Sequence, residues 1–183
     1  MSFSSVVSLV LIKPALSQSS AAATPVQAAI ALGSNLGNSY AILEAALKTL
    51  ANTPGIDLQS WSQWYKTIAV GPPQPDYLNG CACLETDLTP QILLASLLAI
   101  EKQFGRVRRQ RWEARSLDLD LLLYDNLILD TPTLQLPHPR MHERAFVLVP
   151  LSDILPNWVH PSGKTIAQLL QRLDCTGVRP FFP

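Results

Sequence analysis

The chain has 183 residues and a mass of 20.1 kDa, with 14 Lys and Arg balanced by 14 Asp and Glu, so no bulk charge draws it to nucleic acid or to a membrane surface. At 48% apolar and 15% charged residues it is too hydrophobic for intrinsic disorder, and 15 prolines predict fixed loops rather than long uninterrupted helices. Its three cysteines, Cys81, Cys83 and Cys175, are an odd number without a second Cys/His pair at zinc-finger spacing, which predicts reduced thiols in a cytoplasmic protein. Cys81 and Cys83 are expected to share one strand face as small apolar packers.

Residues 1–25 carry one short apolar run followed by a Ser/Ala/Gln stretch without periodicity. The run is too short to span a bilayer, and no basic residue precedes it as a secretory signal requires; the first is Lys13. This segment is expected to be a disordered extension or to precede a true start near Val26, and residues 26–183 are expected to form one domain. Residues 26–32 (VQAAIAL), closed by Gly33-Ser34-Asn35, read as a buried strand ending in a turn. Asn38 or Ser39 can cap a helix whose apolar positions Ile42, Leu43, Ala46, Leu47 and Leu50 recur at helical spacing up to Pro54-Gly55. Residues 56–67 (IDLQSWSQWYKT) and 77–88 (YLNGCACLETDL) read as strands able to pair across a proline-rich loop. Thr89 and Pro90 then open a helix that ends at Gly105, and residues 117–124 (LDLDLLLY) form the last predicted strand. The order strand, helix, strand, strand, helix, strand is the βαββαβ pattern of the ferredoxin-like α+β fold, an antiparallel sheet with both helices on one face. Residues 125–183, with a predicted helix at 164–173, are expected to elaborate this core rather than to form a second domain.

Asp118 and Asp120 stand two apart on a predicted strand, so their carboxylates share a face about 6 to 7 Å apart along the chain. Like charges this close are relieved by solvent or by a cation, and two oxygens offered to a Mg²⁺ that keeps its waters and takes phosphate oxygens is one such use. The pair alone also fits an ordinary solvent-facing strand. The preceding loop favours the metal reading, because five of the nine arginines fall between Arg106 and Arg115, and guanidinium forks suit phosphate oxygens. Cations beside an acidic metal site are what transfer of a phosphoryl-type group needs. No Walker-type loop occurs, so a nucleotide must be held mainly by arginines and metal. Further on, residues 137–146 add Arg140, Arg144, His138 and His142. Pro139 between the two histidines argues against a zinc pair on a helix. Tyr77, Trp112 and Phe146 offer flat faces for a planar ligand.

Four separated segments, IALGSNLGN, GPPQPDYLN, GRVRRQRWEARSLDLDLLLY and LPHPRMHERAFVLVPL, together resemble the 6-hydroxymethyl-7,8-dihydropterin pyrophosphokinase family of folate biosynthesis, in order from about residue 26 to 160. The resemblance implies transfer of the β and γ groups of ATP to the pterin hydroxymethyl oxygen, giving AMP and the pterin diphosphate, with ATP as co-substrate. Asp118 and Asp120 would hold two Mg²⁺ ions and act, with Arg106 and Arg115, as the catalytic set. Glu101, Arg108, Arg115, His138 and Arg144 would surround ATP, with the arginines and His138 directed to phosphates and Glu101 nearer the nucleoside. Asn79 would read the hydrogen-bonding edge of the pterin beside the backbone of Thr67 to Val70. Tyr77 and Phe146 would flank the ring, and Trp112 would belong to a loop that closes over it. Partners are the pterin and ATP, with no nucleic acid and no membrane, for a protein expected to be monomeric.

The chain departs from the family pattern at Glu113-Ala114, where Gly-Pro is usual after the loop tryptophan, and at Leu98, where some members carry a polar residue near the nucleotide. A ferredoxin-like binding module without chemistry, or a family member that binds pterin but turns over poorly, are the alternative readings. Against the first, the sheet lacks an RNP-like aromatic signature, and two aspartates would repel a nucleic-acid backbone.

Overall fold

In the computed structural model, which describes residues 24–69, 73–106 and 113–183, the first strand β1 (Val26–Ser34) alternates its side chains between two buried faces. Ala28, Ile30 and Leu32 point to one side and Ala29 to the other, the pleat's period of two giving each layer its own core. The expectations attached to residues 1–23, to Val70, to Arg108 and to Trp112 lie outside the described residues.

The helices α1 (Ser39–Ala51) and α2 (Pro90–Gln103) cover the first face. Asn38 caps α1 by accepting from the Ala41 amide, and Leu43, Ala46, Leu47 and Leu50 form its buried stripe. Thr89 caps α2 with Pro90 in its first turn, and Leu93, Leu97 and Ile100 face the same core. Both helices therefore stand where helical spacing predicts them, on one side of the sheet.

The sheet is antiparallel throughout, in the order β5 (Asp118–Tyr124), β1, β4 (Tyr77–Thr86), β3 (Tyr65–Thr67) and β8 (Val178–Pro180), with β2 (Ile56–Trp61) also on β4. Its centre is the ten-residue β4, which pairs with β1 along the full length of β1. On the far side of β1 lies β5 (Asp118–Tyr124), where the register shifts between Ala29 and Ile30. Residues 56–67 are expected as one strand and instead form two, β2 (Ile56–Trp61) and β3 (Tyr65–Thr67). The break comes where Ser62 turns its hydroxyl to the Cys81 amide and the Trp64 ring lies over Gly80, so closely that a Cβ there would stand 2.5 Å from the indole.

The C-terminal elaboration covers the second face. After the hairpin β6 (Leu129–Asp130) and β7 (Gln135–Leu136) and a 3₁₀ turn at Met141–Glu143, the helix α3 (Ala145–Ile154) packs Val147, Leu148 and Leu151 against Ala29, Cys81, Leu122 and Leu123. This helix is not read from the sequence, because AFVLVPLSDI is apolar around most of its circumference and contains Pro150, which hides the helical period. The helix expected at 164–173 is shorter, α4 (Ile166–Leu170), and opens with a capping box of Thr165 and Gln168. A last strand, β8 (Val178–Pro180), returns to pair with β3. Cys81 and Cys83 are buried on one strand face as expected, and all three cysteines are free.

Candidate active site

Gly33 near the end of β1 has Asn79 of β4 as its partner on one side and Asp118 of β5 on the other. A Cβ at this position would lie 3.0 Å from the Asn79 side-chain oxygen, 3.7 Å from the Tyr77 ring and 3.9 Å from Asp118. The glycine thus keeps open the floor of a cavity of about 400 Å³ on the α3 side of the sheet, where amide and carboxylate face each other across a bare backbone. Two residues back, Ala31 pairs with Asp120, so both aspartates line the same cavity, as their spacing predicts.

One end of the cavity is neutral. The Asn79 amide donates to the Thr67 hydroxyl at 2.7 Å, and both residues are buried. That bond fixes the amide plane, leaving the Asn79 oxygen and its second N–H to a ligand edge. Tyr77 and Phe146 add aromatic surface to the walls. The Arg144 guanidinium lies 5.6 Å above the centre of the Phe146 ring and joins this end to the charged one.

The other end is a carboxylate pair wrapped in cations. Asp118 meets Arg106 at 2.7 Å through one oxygen and Arg115 at 2.6 Å through the other. Asp120 faces Arg144 at 3.7 Å, and its carboxyl is held above the usual range by burial and then by the neighbouring Asp118 charge. His138 donates its backbone amide to Leu122 and accepts the Arg140 amide on Nδ1 at 3.2 Å, so its neutral form carries the proton on Nε2. Burial lowers the His138 pKa, with the Asp120 charge opposing.

Of the residues expected at the site, Thr67, Tyr77, Asn79, Arg115, Asp118, Asp120, His138, Arg144 and Phe146 line this one cavity. Glu101 and Arg106 do not line it. Glu101 is 2% exposed and stands behind β5, accepting from the Leu119 amide at 2.7 Å and from Arg106, so it acts through Arg106 on Asp118. Gly33, Gln74 and Arg140 line the cavity without having been singled out as site residues. A glycine closing a strand and an arginine near Arg144 were visible signals, whereas Gln74 had none.

The two aspartates fit a hard divalent cation. Asp118 Oδ1 is buried against Arg106, whereas Oδ2 meets Arg115, which lines the cavity, so Oδ2 and the Asp120 carboxylate are the hard oxygens the cavity offers to a metal. Among the described residues no three His, Cys, Asp or Glu side chains converge on a common metal position, so the protein supplies two carboxylates and the remaining oxygens must come from phosphate and water. That is how Mg²⁺ is bound beside a nucleotide rather than how a zinc site is built.

A sequence model of the 7,8-dihydro-6-hydroxymethylpterin-pyrophosphokinase family matches residues 29–156. The chain is 50% identical over 157 residues to the 2-amino-4-hydroxy-6-hydroxymethyldihydropteridine pyrophosphokinase of Synechocystis sp., covering 85% of this chain and 80% of that protein. It is 45% identical over 148 residues to the enzyme of the same name from Haemophilus influenzae, covering 80% and 92%. Among solved structures, the HPPK-DHPS of Plasmodium falciparum superposes with a TM-score of 0.67 at 15% identity, over 81% of this chain and 41% of that one. An HPPK-DHPS structure in complex with substrates gives 0.64 at 12% identity, over 81% and 43%. The chain thus spans about two fifths of those longer proteins, and the likeness concerns the fold of that part.

Proposed function

The chain belongs to the 6-hydroxymethyl-7,8-dihydropterin pyrophosphokinase family of folate biosynthesis, and from that premise we propose how its own residues perform the reaction. The activity is transfer of pyrophosphate from ATP to hydroxymethyldihydropterin. The pterin hydroxyl oxygen forms a bond to the β-phosphorus, the bond from that phosphorus to the α,β-bridging oxygen breaks, the hydroxyl proton is lost, and AMP departs.

The observation that carries the assignment of roles is the placement of the Asn79 amide and the Asp118–Asp120 pair on opposite sides of Gly33 in one cavity. Asn79, held by Thr67, binds the pterin edge, and Phe146 and Tyr77 bound the ring, with the hydroxymethyl group pointing toward the aspartates. Asp118 and Asp120 would hold the two Mg²⁺ ions that the family resemblance implies. When bound, these ions neutralise charge on the phosphate oxygens and bring the two substrates into line. Arg115 and Arg144, which neutralise the aspartates in this structure, turn to the polyphosphate when ATP binds, and His138 donates from Nε2 to a phosphate oxygen. Arg106, tied to Glu101, fixes the position of Asp118 from behind. Val70, Arg108 and Trp112 take the remaining roles that the resemblance implies, beside the pterin, at the phosphates and over the closed site. The reading takes the enzyme as a monomer in the cytoplasm, and three free thiols support that compartment.

Turnover of the variants Asp118→Ala and Asp120→Ala tests this reading. Each is expected to abolish AMP formation while keeping the circular dichroism spectrum of a folded protein, because neither carboxylate packs in the apolar cores, although Asp118→Ala lowers stability by leaving Arg106 paired with Glu101 alone. Retained activity in both variants would sink the metal assignment.

A further inference from the structure

Asn35 follows β1 directly and is 3% exposed. Its side-chain nitrogen donates to Gln74 Oε1 at 2.9 Å and to the Pro75 carbonyl at 3.0 Å, while its side-chain oxygen accepts the Arg115 amide at 2.7 Å. The backbone amides of Asn35 and Leu36 both donate to the Arg115 carbonyl, at 3.0 and 3.1 Å. One buried amide thus ties together two segments that lie 39 and 80 residues away in sequence.

Those segments lead to the two parts of the cavity, one to Tyr77 and Asn79 and the other to Asp118. Gln74 lines it just before Tyr77 and Asn79, and Arg115 lines it where its guanidinium holds Asp118. Asn35 is not among the lining residues. Among the described residues it is joined to the cavity by its side chain through these two segments. The side chain must offer two donors and an acceptor from one planar group at this position, which asparagine does and aspartate cannot.

We propose that Asn35 is a positioning residue that couples pterin binding to nucleotide binding by clasping the Gln74–Pro75 segment and Arg115 with a single amide. The proposal rests on the division of the cavity into a pterin end and a phosphate end. A ligand that draws Arg115 toward phosphate oxygens acts on the same amide that holds the pterin-side wall, so ordering one segment changes what remains to be ordered in the other. Such coupling is reciprocal between the two ligands.

The test is titration calorimetry of the full-length protein with 6-hydroxymethyl-7,8-dihydropterin, with and without a non-hydrolysable ATP analogue and Mg²⁺, on the wild type, Asn35→Ala and Asn35→Asp. In the wild type the analogue is expected to change pterin affinity by about fivefold or more. In both variants that ratio falls to within about twofold of one, although each ligand still binds alone. Asn35→Asp matters most here, since it keeps the size and the acceptor for the Arg115 amide but removes the donors to Gln74 and Pro75. A folded variant that retains the wild-type ratio would overturn the proposal, as would a wild type whose ratio is one, or failure of both variants to fold, which would leave Asn35 a structural role alone. A wild type that binds neither ligand would instead contradict the reading of the site itself, and the coupling with it.

Discussion

Asp118 is held by two arginines in different situations. Arg106 has a side chain 9% exposed and also pairs with Glu101, whereas Arg115 has 31% of its side chain open and lines the cavity. The first arrangement is part of the fold and the second is available to a substrate. Replacing Glu101 with alanine would leave the Arg106 guanidinium half-paired and the Leu119 amide without its acceptor. We expect Glu101→Ala to cost about 3 to 5 kcal/mol in unfolding free energy, measured by urea denaturation, as for other broken buried pairs. An unchanged midpoint would contradict that placement. Arg115→Ala should do the reverse, lowering kcat about 10²- to 10³-fold by loss of charge stabilisation in the transition state, with stability little changed. An unchanged rate would return Arg115 to a role in pairing Asp118 only. Asp118, Asp120 and Arg115 could be seen in the sequence because strand alternation and arginine clustering are local signals. The depth of Glu101 could not, since it depends on α2 packing behind β5.

At the scale of elements, the second layer depends on α3. The Cys81 thiol is 1% exposed, donates to the Val147 carbonyl at 3.5 Å, and has its pKa pushed up by burial, with the Asp153 charge adding to the effect. Burial likewise raises Cys83, with Glu85 contributing, and only Cys175 is partly exposed. Because a raised pKa keeps the unreactive thiol form to higher pH, an aromatic disulfide reagent at pH 8 should modify Cys175 in the native protein and all three cysteines after unfolding in guanidinium. Rapid native reaction of Cys81 would mean that α3 does not stay docked. The elements announced by caps and clean spacing, α1 and α2, were legible, as were β1, β4 and β5 from apolar runs and alternation. What escaped was set by contacts distant in sequence. The split between β2 and β3 answers to Trp64 resting on Gly80, α3 is fixed by the face it covers, and β8 forms only because β3 offers it an edge.

Across the whole molecule, a ferredoxin-like core of one helical layer and one sheet carries the site on the opposite face, and the C-terminal elaboration both buries that face and walls the cavity through His138, Arg144 and Phe146. Element order was enough to reach the core, and the four matched segments were enough to reach the family. The part of the site contributed by residues 137–146 could be named from the resemblance but not oriented, because its position follows from a helix the sequence did not show. Transfer of a pyrophosphoryl group, and not of a single phosphate, is the chemistry on which the roles of these residues depend. It is tested most directly by incubating the purified protein with ATP, Mg²⁺ and 6-hydroxymethyl-7,8-dihydropterin and separating AMP from ADP, with a control lacking pterin. AMP formed only when pterin is present is the predicted result, whereas pterin-dependent ADP, or neither nucleotide from folded protein, would contradict it.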